Sequence, residues 1–258
     1  MKILCIGDII GKPGRRAVKE ILPALKLGLG VEVVIANGEN ASGGIGLTPD
    51  VAEELFSYGV NAITSGNHIW SQSEILPMLE GDDPVVRPLN YPPGVPGKAC
   101  TMVKGVMVVS LMGRTFINNL LDCPFRAMDL LLETVADRPK HIVVDFHAEA
   151  TSEKQAMGWY LDGRVTAVVG THTHVGTVDT RVLPGGTATV ADIGMVGPWD
   201  SIIGDSKDDV LRRFLTGLPN RLSVGKGRVS FNSVLITTDA AGRALSIERV
   251  DRETAALA

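Results

Sequence analysis

Short apolar runs rich in β-branched residues alternate along this chain with longer segments that have the apolar spacing of amphipathic helices. The runs that fit buried strands are residues 2–6, 31–36, 61–64, 141–146 and 165–169. The segments with helical spacing are residues 14–27, 49–58, 72–80 and 125–136. Because alternation of this kind is typical of βα units, it predicts an α/β fold with a mainly parallel inner sheet.

Two further segments have the pattern of β-hairpins. Residues 100–111 turn at Lys104 and Gly105, and residues 228–250 turn near Ala241 and Gly242. They predict a second, more antiparallel sheet packed within the same domain. The chain shows no internal repeat, and its proline-rich stretch at residues 92–97 is too short for an interdomain linker. We therefore expect one domain over residues 1–258.

Charge and cysteine content exclude several classes of function. The formal net charge of −4 gives no broad basic face, so no strong nucleic-acid-binding surface is expected, although a local basic pocket stays open. The three cysteines are scattered and form no CxxC pair, which indicates a reducing compartment. No apolar run approaches the ~20 residues of a membrane span. We expect a cytoplasmic protein without a membrane partner.

Polar residues with metal-binding chemistry follow each of the predicted strands. In chain order they are Asp8, Glu39, Asn40, Asn67, His68, His147, His172 and His174. In open α/β sheets, binding sites form beyond the carboxyl ends of the strands, where neighbouring loops converge. We therefore expect these side chains to meet at one edge of the sheet.

Each of these residues taken alone has an ordinary structural explanation. Asp8 fits a helix cap, and His147 fits a hydrogen-bonded structural histidine. His172 and His174 are two positions apart, so in an extended segment both side chains leave on the same face. That spacing suits two nearby ligands or a polar strand end equally well. A purely structural interpretation, however, must explain each strand end separately, whereas one metal site explains all of them.

The donor chemistry narrows the choice of metal. The candidate ligands offer nitrogen and oxygen without thiolate, which suits manganese, iron or zinc, and they are too rich in histidine for calcium. Without His68 the candidate ligands number seven, which exceeds what one tetrahedral ion uses, so two ions are expected, bridged by a carboxylate at roughly 3.5–4 Å. Two divalent ions offset by Asp8, Glu39 and a hydroxide leave about one positive charge, which matches a monoanionic phosphodiester.

The motifs at the strand ends resemble those of the metallophosphoesterase (calcineurin-like) superfamily. They read GD at 7–8, GEN at 38–40, GNH at 66–68 and GTHTH at 170–174, with His147 between the last two. The usual DxH lacks its histidine, because Ile10 stands there, and GEN replaces GDxxD. These departures, with DFHAEATSEK at 145–154 and DIGMVGPWDSIIG at 192–204, resemble the YmdB-like family of bacterial 2′,3′-cyclic-nucleotide 2′-phosphodiesterases. The resemblance extends over nearly the whole chain.

The resemblance implies a fold, an activity and a ligand set. The fold is an α/β/β/α sandwich with two mixed β-sheets flanked by helices, and the activity is hydrolysis of 2′,3′-cyclic nucleotides to 3′-nucleotides. Two ions are implied, iron or manganese, with zinc as the alternative. One ion would be held by Asp8, Glu39, Asn40 and His174. Glu39 would bridge to the second ion, which Asn67, His147 and His172 complete, while Thr171 and Thr173 act as spacers.

The resemblance also implies roles in catalysis. A metal-bridging hydroxide would attack phosphorus, and His68 would protonate the leaving ribose oxygen as general acid. The alternative for His68 is to orient a ligand or the phosphate. Ser152 and Lys154 follow His147 closely and are candidate substrate contacts, Lys154 as a point charge for phosphate or, equally, on a solvated helix face. A homo-oligomer is plausible for this type of enzyme.

Two other functions stay open at this point. One is a metal-dependent phosphatase or nuclease of broader specificity that uses the same residues. The other belongs to a different class: a regulatory RNA-processing adaptor in which the metal site is residual.

Overall fold

The computed structural model describes residues 1–254. The helices are α1 (Gly11–Leu29), α2 (Pro49–Ser57), α3 (Leu76–Glu80), α4 (Pro124–Thr134), α5 (Thr151–Tyr160) and α6 (Lys207–Thr216), and a 3₁₀ turn at Ser73–Ile75 precedes α3. The strands are β1 (Lys2–Ile6), β2 (Asp8–Ile9), β3 (Val33–Asn37), β4 (Ala62–Thr64), β5 (Cys100–Val103), β6 (Val106–Met112), β7 (His141–His147), β8 (Ala167–Thr171), β9 (Arg181–Val182), β10 (Ala188–Val190), β11 (Met195–Pro198), β12 (Val229–Phe231), β13 (Ser233–Thr238), β14 (Ala244–Arg249) and β15 (Arg252–Thr254).

The strands of the described chain form three sheets. A five-stranded sheet has the order β14-β13-β1-β3-β4, in which β1, β3 and β4 are parallel. A six-stranded sheet has the order β5-β6-β7-β8-β10-β9, with four parallel strands between two antiparallel edges. A smaller sheet has the order β15-β12-β11-β2, and its β2 runs parallel to β11.

The two larger sheets pack face to face. Ile3 and Cys5 on one side of β1 share a core with Val143 of β7 in the other sheet. Leu4, on the opposite side of β1, packs in a separate core with Leu22 of α1. Because both faces of these strands are covered, their sequences are mainly apolar and show no polar alternation.

Helices cover the outer face of the six-stranded sheet as well. Val144 and Phe146 of β7 pack with Met128 of α4 and Met157 of α5 in a third core. The layers therefore run helix, sheet, sheet, helix. No helix within residues 1–254 is both long enough and apolar enough to span a membrane.

The arrangement of the sheets corrects two expectations. Both hairpins turn where predicted, as β5-β6 and β13-β14, but they do not form a separate antiparallel sheet. Each one instead extends the edge of a different large sheet. The five predicted strands likewise divide between these sheets and do not build one inner sheet, because a strand with two apolar faces can be covered by a helix layer on one side and by another sheet on the other. The single domain stays a prediction, and residues 255–258 of it lie outside the described part.

Candidate metal centre

Side chains that follow strands of both large sheets meet around one imidazole, that of His147 at the end of β7. Its Nε2 lies 3.1 Å from Glu39 Oε1, 3.0 Å from Asn67 Oδ1 and 3.0 Å from His172 Nδ1. One donor atom each from Glu39, His147 and His172 lies within 4.8 Å of the others. A ring nitrogen carries at most one hydrogen, so hydrogen bonds cannot satisfy all three neighbours. Such convergence of nitrogen and oxygen lone pairs suits a cation.

A second group of donors adjoins the first. His174 Nε2 lies 3.2 Å from Asn40 Nδ2 and 3.7 Å from Asp8 Oδ1. Asp8 is fully buried, and its Oδ1 has no hydrogen-bond partner among residues 1–254. Because a buried carboxylate oxygen without a partner is unfavourable, this atom fits a metal-ligand role. Glu39 lies between the two groups, since Asn40 Nδ2 is 3.4 Å from its Oε1.

Asp8 is held in place by the two-residue strand β2. Its backbone N–H donates to Gly194 O at 3.0 Å, beside the pairing of β2 with β11. Its Oδ2 accepts the backbone N–H of His172 at 3.2 Å. One carboxylate oxygen is thus fixed by the histidine loop, the segment that carries His172 and His174, while the other is left for a ligand.

The segment that carries His172 and His174 is not extended. Strand β8 ends at Thr171, and φ is 98° at His172 and 65° at His174, in the left-handed region that non-glycine residues rarely adopt. The expectation that both side chains leave on one face of an extended segment is therefore wrong. The positive φ values turn the chain, so His172 reaches the group around His147 and His174 reaches Asp8.

Thr173, between these histidines, and Thr171, just before them, are more than spacers, which corrects a second expectation. Thr173 donates from both its backbone N–H and its Oγ1 to Asp192 Oδ2, at 3.1 and 2.8 Å. Thr171 Oγ1 donates to Asp145 Oδ1 at 2.6 Å and lies 2.9 Å from His147 Nδ1. These bonds hold the loop in its unusual backbone conformation.

His68 lies beside both donor groups. Its Nδ1 is 2.7 Å from Asn40 Oδ1, and its backbone N–H donates to Glu39 Oε2 at 3.3 Å. The side chain is 34% exposed, and with Glu149, His172 and His174 it lines a cavity of about 300 Å³. The position gives His68 access both to the candidate ligands and to a small molecule in the cavity.

Burial and mutual contact shift the pKa values of the central groups. Burial alone raises the pKa of Glu39, but the charge and hydrogen bond of His147 outweigh it and hold that pKa well below its usual range. Burial lowers the pKa of His147, yet Glu39 raises it to about 9. Burial and then His147 lower the pKa of His172 to about 3. Burial raises the pKa of Asp8 to about 6 against the opposing effect of His174.

The two candidate substrate contacts lie in different surroundings. Lys154 of α5 is only 4% exposed, and its Nζ lies 2.6 Å from Asp192 Oδ2. Its ammonium group is thus committed to a buried ion pair, so it lies neither on a solvated helix face nor on the cavity wall. Ser152, in the first turn of α5, is exposed and stays a prediction.

Several residues near the site escaped the sequence interpretation. His174 Nδ1 lies 2.7 Å from the backbone oxygen of Ile203. Asp145 and Asp192 are buried carboxylates behind the histidine loop. Asp145 could have been identified from the sequence, because it is a charged residue inside the apolar run HIVVDFH. The contact of Ile203 could not, because it is made by a backbone carbonyl and does not depend on the type of side chain.

Comparison with known proteins adds independent findings on sequence and fold. A family model described as YmdB-like protein matches residues 4–250. A Bacillus subtilis protein named 2′,3′-cyclic-nucleotide 2′-phosphodiesterase is 48% identical over 255 residues, which cover 97% of this chain and 96% of that protein.

Two solved structures have the same fold. A hypothetical protein from Thermus thermophilus superposes with a TM-score of 0.92 at 44% identity, covering 98% of this chain and 99% of the other. A protein from Mycoplasma pneumoniae described as a novel phosphatase gives a TM-score of 0.92 at 32% identity, covering 99% and 94%. The expected fold class, a metallophosphoesterase-type α/β/β/α sandwich with two mixed sheets flanked by helices, is confirmed.

Proposed function

The chain belongs to the YmdB-like protein family, and from this premise we propose that it is a metal-dependent phosphodiesterase that hydrolyses 2′,3′-cyclic nucleotides to 3′-nucleotides. The observation that carries the proposal is the double group of nitrogen and oxygen donors that shares Glu39. The name of the B. subtilis relative supports the choice of substrate. Two ions, iron or manganese with zinc as the alternative, fit a donor set without thiolate.

The contacts support a division of the proposed ligands between two ions. Asp8, Asn40 and His174 surround one position, and the unpartnered Asp8 Oδ1 supports this assignment. A second set surrounds the other position and consists of Asn67, His147 and His172. Glu39 adjoins both sets, which supports a bridging role.

When bound, the ions supply Lewis acidity to the phosphoryl oxygens and lower the pKa of the water that attacks phosphorus. His68 protonates the 2′ oxygen as its bond to phosphorus breaks. As general acid His68 is the imidazolium: its Nδ1–H donates to Asn40 Oδ1, 2.7 Å away, and its Nε2–H supplies the proton to the leaving group. His68 also lines the cavity, which supports a role as general acid.

A His68→Ala variant tests this assignment. We expect kcat on 2′,3′-cyclic AMP to fall by about 10²–10⁴-fold while two metal ions per chain are retained, since loss of a general acid removes that much rate. His141→Ala is the matched control, because His141 lies at the other end of β7 and contacts Thr238. Loss of metal in His68→Ala, or unchanged turnover, contradicts the role.

A broader phosphatase is the second candidate, favoured by the description of the M. pneumoniae structure. Assays of the purified protein with 2′,3′-cyclic AMP, 3′,5′-cyclic AMP, phosphomonoesters and RNA separate the two. Equal or greater turnover of the other substrates overturns the narrow specificity.

The adaptor function is tested by complementation of a deletion strain. If a catalytically inactive His68→Ala protein restores the wild-type phenotype, that result favours the adaptor function over catalysis. The cytoplasmic location and the homo-oligomer stay predictions.

A further inference from the structure

We infer that Thr171 and Asp145 are positioning residues that keep the hydrogen of His147 on Nδ1 and so leave Nε2 for a metal ion. The inference rests on the proposed metal centre, to which it adds two residues that touch neither substrate nor metal. Both are buried, Thr171 at 1% and Asp145 at 2% exposure.

The direction of the hydrogen bonds follows from the number of hydrogens available. Thr171 Oγ1 has one hydrogen and lies 2.6 Å from Asp145 Oδ1, to which it donates. Because this hydrogen is already used, Thr171 Oγ1 can only accept a hydrogen bond from His147 Nδ1, 2.9 Å away. Nδ1 must therefore carry the hydrogen that completes this contact. In a neutral imidazole the other nitrogen, Nε2, is then bare, and it is Nε2 that faces Glu39, Asn67 and His172.

Asp145 is surrounded by donors, which supports its role as the acceptor at the end of this chain. Its Oδ2 accepts Asn37 Nδ2 at 3.0 Å and also the hydroxyl of Thr64. With Thr171 on Oδ1, both carboxylate oxygens are engaged by side-chain donors. Hydrogen bonds of this kind compensate a buried carboxylate for the water it has lost.

The same carboxylate joins the two large sheets beneath the proposed metals. Asn37 and Thr64 end β3 and β4 of the five-stranded sheet, whereas Asp145 and Thr171 belong to β7 and β8 of the six-stranded sheet. Asn37 in turn accepts the backbone N–H of Glu39 on its Oδ1 at 3.1 Å. Asp145 thus orients a proposed ligand from each sheet: His147 through Thr171, and Glu39 through Asn37.

Three threonine variants test the inference. Thr171→Val removes the hydroxyl and keeps the shape, and Thr171→Ser restores the hydroxyl. Thr166→Val is the matched control, because Thr166 is also fully buried and makes two hydrogen bonds, to Ile142 N and Gly242 O, just before β8 begins. Any loss of stability common to buried threonines will appear in both valine variants.

Zinc affinity is measured by competition with a chromophoric chelator, and folding of the metal-free proteins by their unfolding midpoints. We expect Thr171→Val to bind the weaker zinc ion about 10–100-fold less tightly, the usual cost of losing a residue that orients a ligand. Thr171→Ser and Thr166→Val should keep the wild-type affinity. A folded Thr171→Val protein with wild-type affinity overturns the inference.

The position of the hydrogen is measured directly by ¹⁵N NMR of histidine-labelled protein, with the His147 signals assigned by their absence from His147→Gln. We expect a slowly exchanging Nδ1–H on His147 with and without zinc, and faster exchange of it in Thr171→Val. A bare Nδ1 with hydrogen on Nε2 in the zinc-free wild type overturns the inference. If the wild type binds no zinc, the proposed function fails, but the metal-free protein still decides the inference when its His147 is in the neutral form, by whether the one remaining hydrogen is on Nδ1 or on Nε2.

Discussion

The charge of one side chain, His147, connects the metal-free protein with its proposed metal-bound form. Next to Glu39 it holds a proton with a pKa of about 9, although it is fully buried. A metal ligand must be deprotonated, so an ion at the proposed site would compete with the proton for Nε2. In the metal-free protein the buried ion pair of Glu39 and His147 would then take the place of the proposed metal contact.

This competition gives a pH dependence for the metal-free protein. The pKa of His147 is raised from 6.5 to about 9 by folding, so its stabilising effect is full below pH 6.5 and is lost as pH rises through 9. Since one pKa unit corresponds to about 1.4 kcal/mol, the loss is about 3 kcal/mol. Urea unfolding in chelator at pH 6.5 and 9 measures it. His147→Gln should lack most of this slope, and a wild-type free energy of unfolding that rises with pH contradicts the prediction.

Lys154 is expected to contribute to stability and not to substrate binding. Replacing it in Lys154→Met leaves Asp192 buried without its cation, which costs about 3–5 kcal/mol of unfolding free energy. KM for the cyclic nucleotide should stay unchanged. Urea unfolding and steady-state kinetics measure the two effects, with Lys207→Met on the exposed start of α6 as control. A raised KM with unchanged stability favours the substrate contact.

Part of the site could be predicted from the types of its residues, and the rest could not. The polar residues after the strands, such as Glu39 and His147, stand out because they interrupt apolar runs with metal-binding side chains. Asn37 and Thr171 do not stand out, since amides and hydroxyls are common at strand ends. Their role depends on Asp145, which comes from a different sheet from Asn37, and pairing between sheets is not encoded by any local pattern.

At the level of elements, the turn after β4 has no room for a side chain at its glycine. A Cβ on Gly66 would lie 2.2 Å from His147 Cδ2 and 2.3 Å from Glu39 Oε2. The neighbours in question are proposed metal ligands, so any relaxation moves the ligands themselves. The first residue of the GNH motif, Gly66, must therefore be glycine, because the site leaves no room for a side chain there.

Gly66→Ala should therefore lose metal affinity at both positions while the fold is kept. Metal content after gel filtration measures this, and kcat should fall with it. Gly28→Ala is the control, since a Cβ there meets nothing within 4 Å. Gly28 lies in α1, so alanine there should stabilise the protein by roughly 0.5–1 kcal/mol. A fully metallated Gly66→Ala protein contradicts the crowding described.

The positions of helices and strands were predicted more readily than the pairing of the strands into sheets. Helix α2 begins at Pro49 as predicted, and β7 covers the apolar run from His141. The strand predicted over 165–169 instead occupies Ala167–Thr171, because its register is set by pairing with β7. A local pattern identifies a strand as apolar on both faces, but not the sheet that it joins.

At the scale of the whole molecule, the proposed ligands come from all three sheets of the described chain. Asp8 belongs to the small sheet, Glu39 follows the five-stranded sheet and His147 ends a strand of the six-stranded sheet. Because bound ions would hold these layers together, metal binding should stabilise the fold as a whole. The resemblance of motifs implied the two large mixed sheets correctly but not the small third sheet, whereas the hairpin patterns alone implied neither.

Metal removal is therefore expected to lower the unfolding midpoint. An ion present at about 100 times its dissociation constant adds about 2.7 kcal/mol to the free energy of unfolding by mass action. Thermal unfolding with excess manganese and with chelator measures the difference. Asp8→Asn should lose part of the manganese effect, whereas Asp50→Asn on the exposed start of α2 should keep it. An equal midpoint in manganese and chelator contradicts a shared site.

The short strand β2 has a consequence for the order of events during synthesis. Asp8 is seated by pairing of β2 with β11, and the preceding Gly7 donates its N–H to Asn232 O at 3.1 Å. A nascent chain that has just passed residue 174 already carries every proposed ligand, yet lacks the partners that fix the first one. The backbone contacts that fix Asp8 can form only after β11 and the chain through Asn232 have been synthesised. Metal loading in the native geometry is thus expected only after the chain through Asn232 has been synthesised.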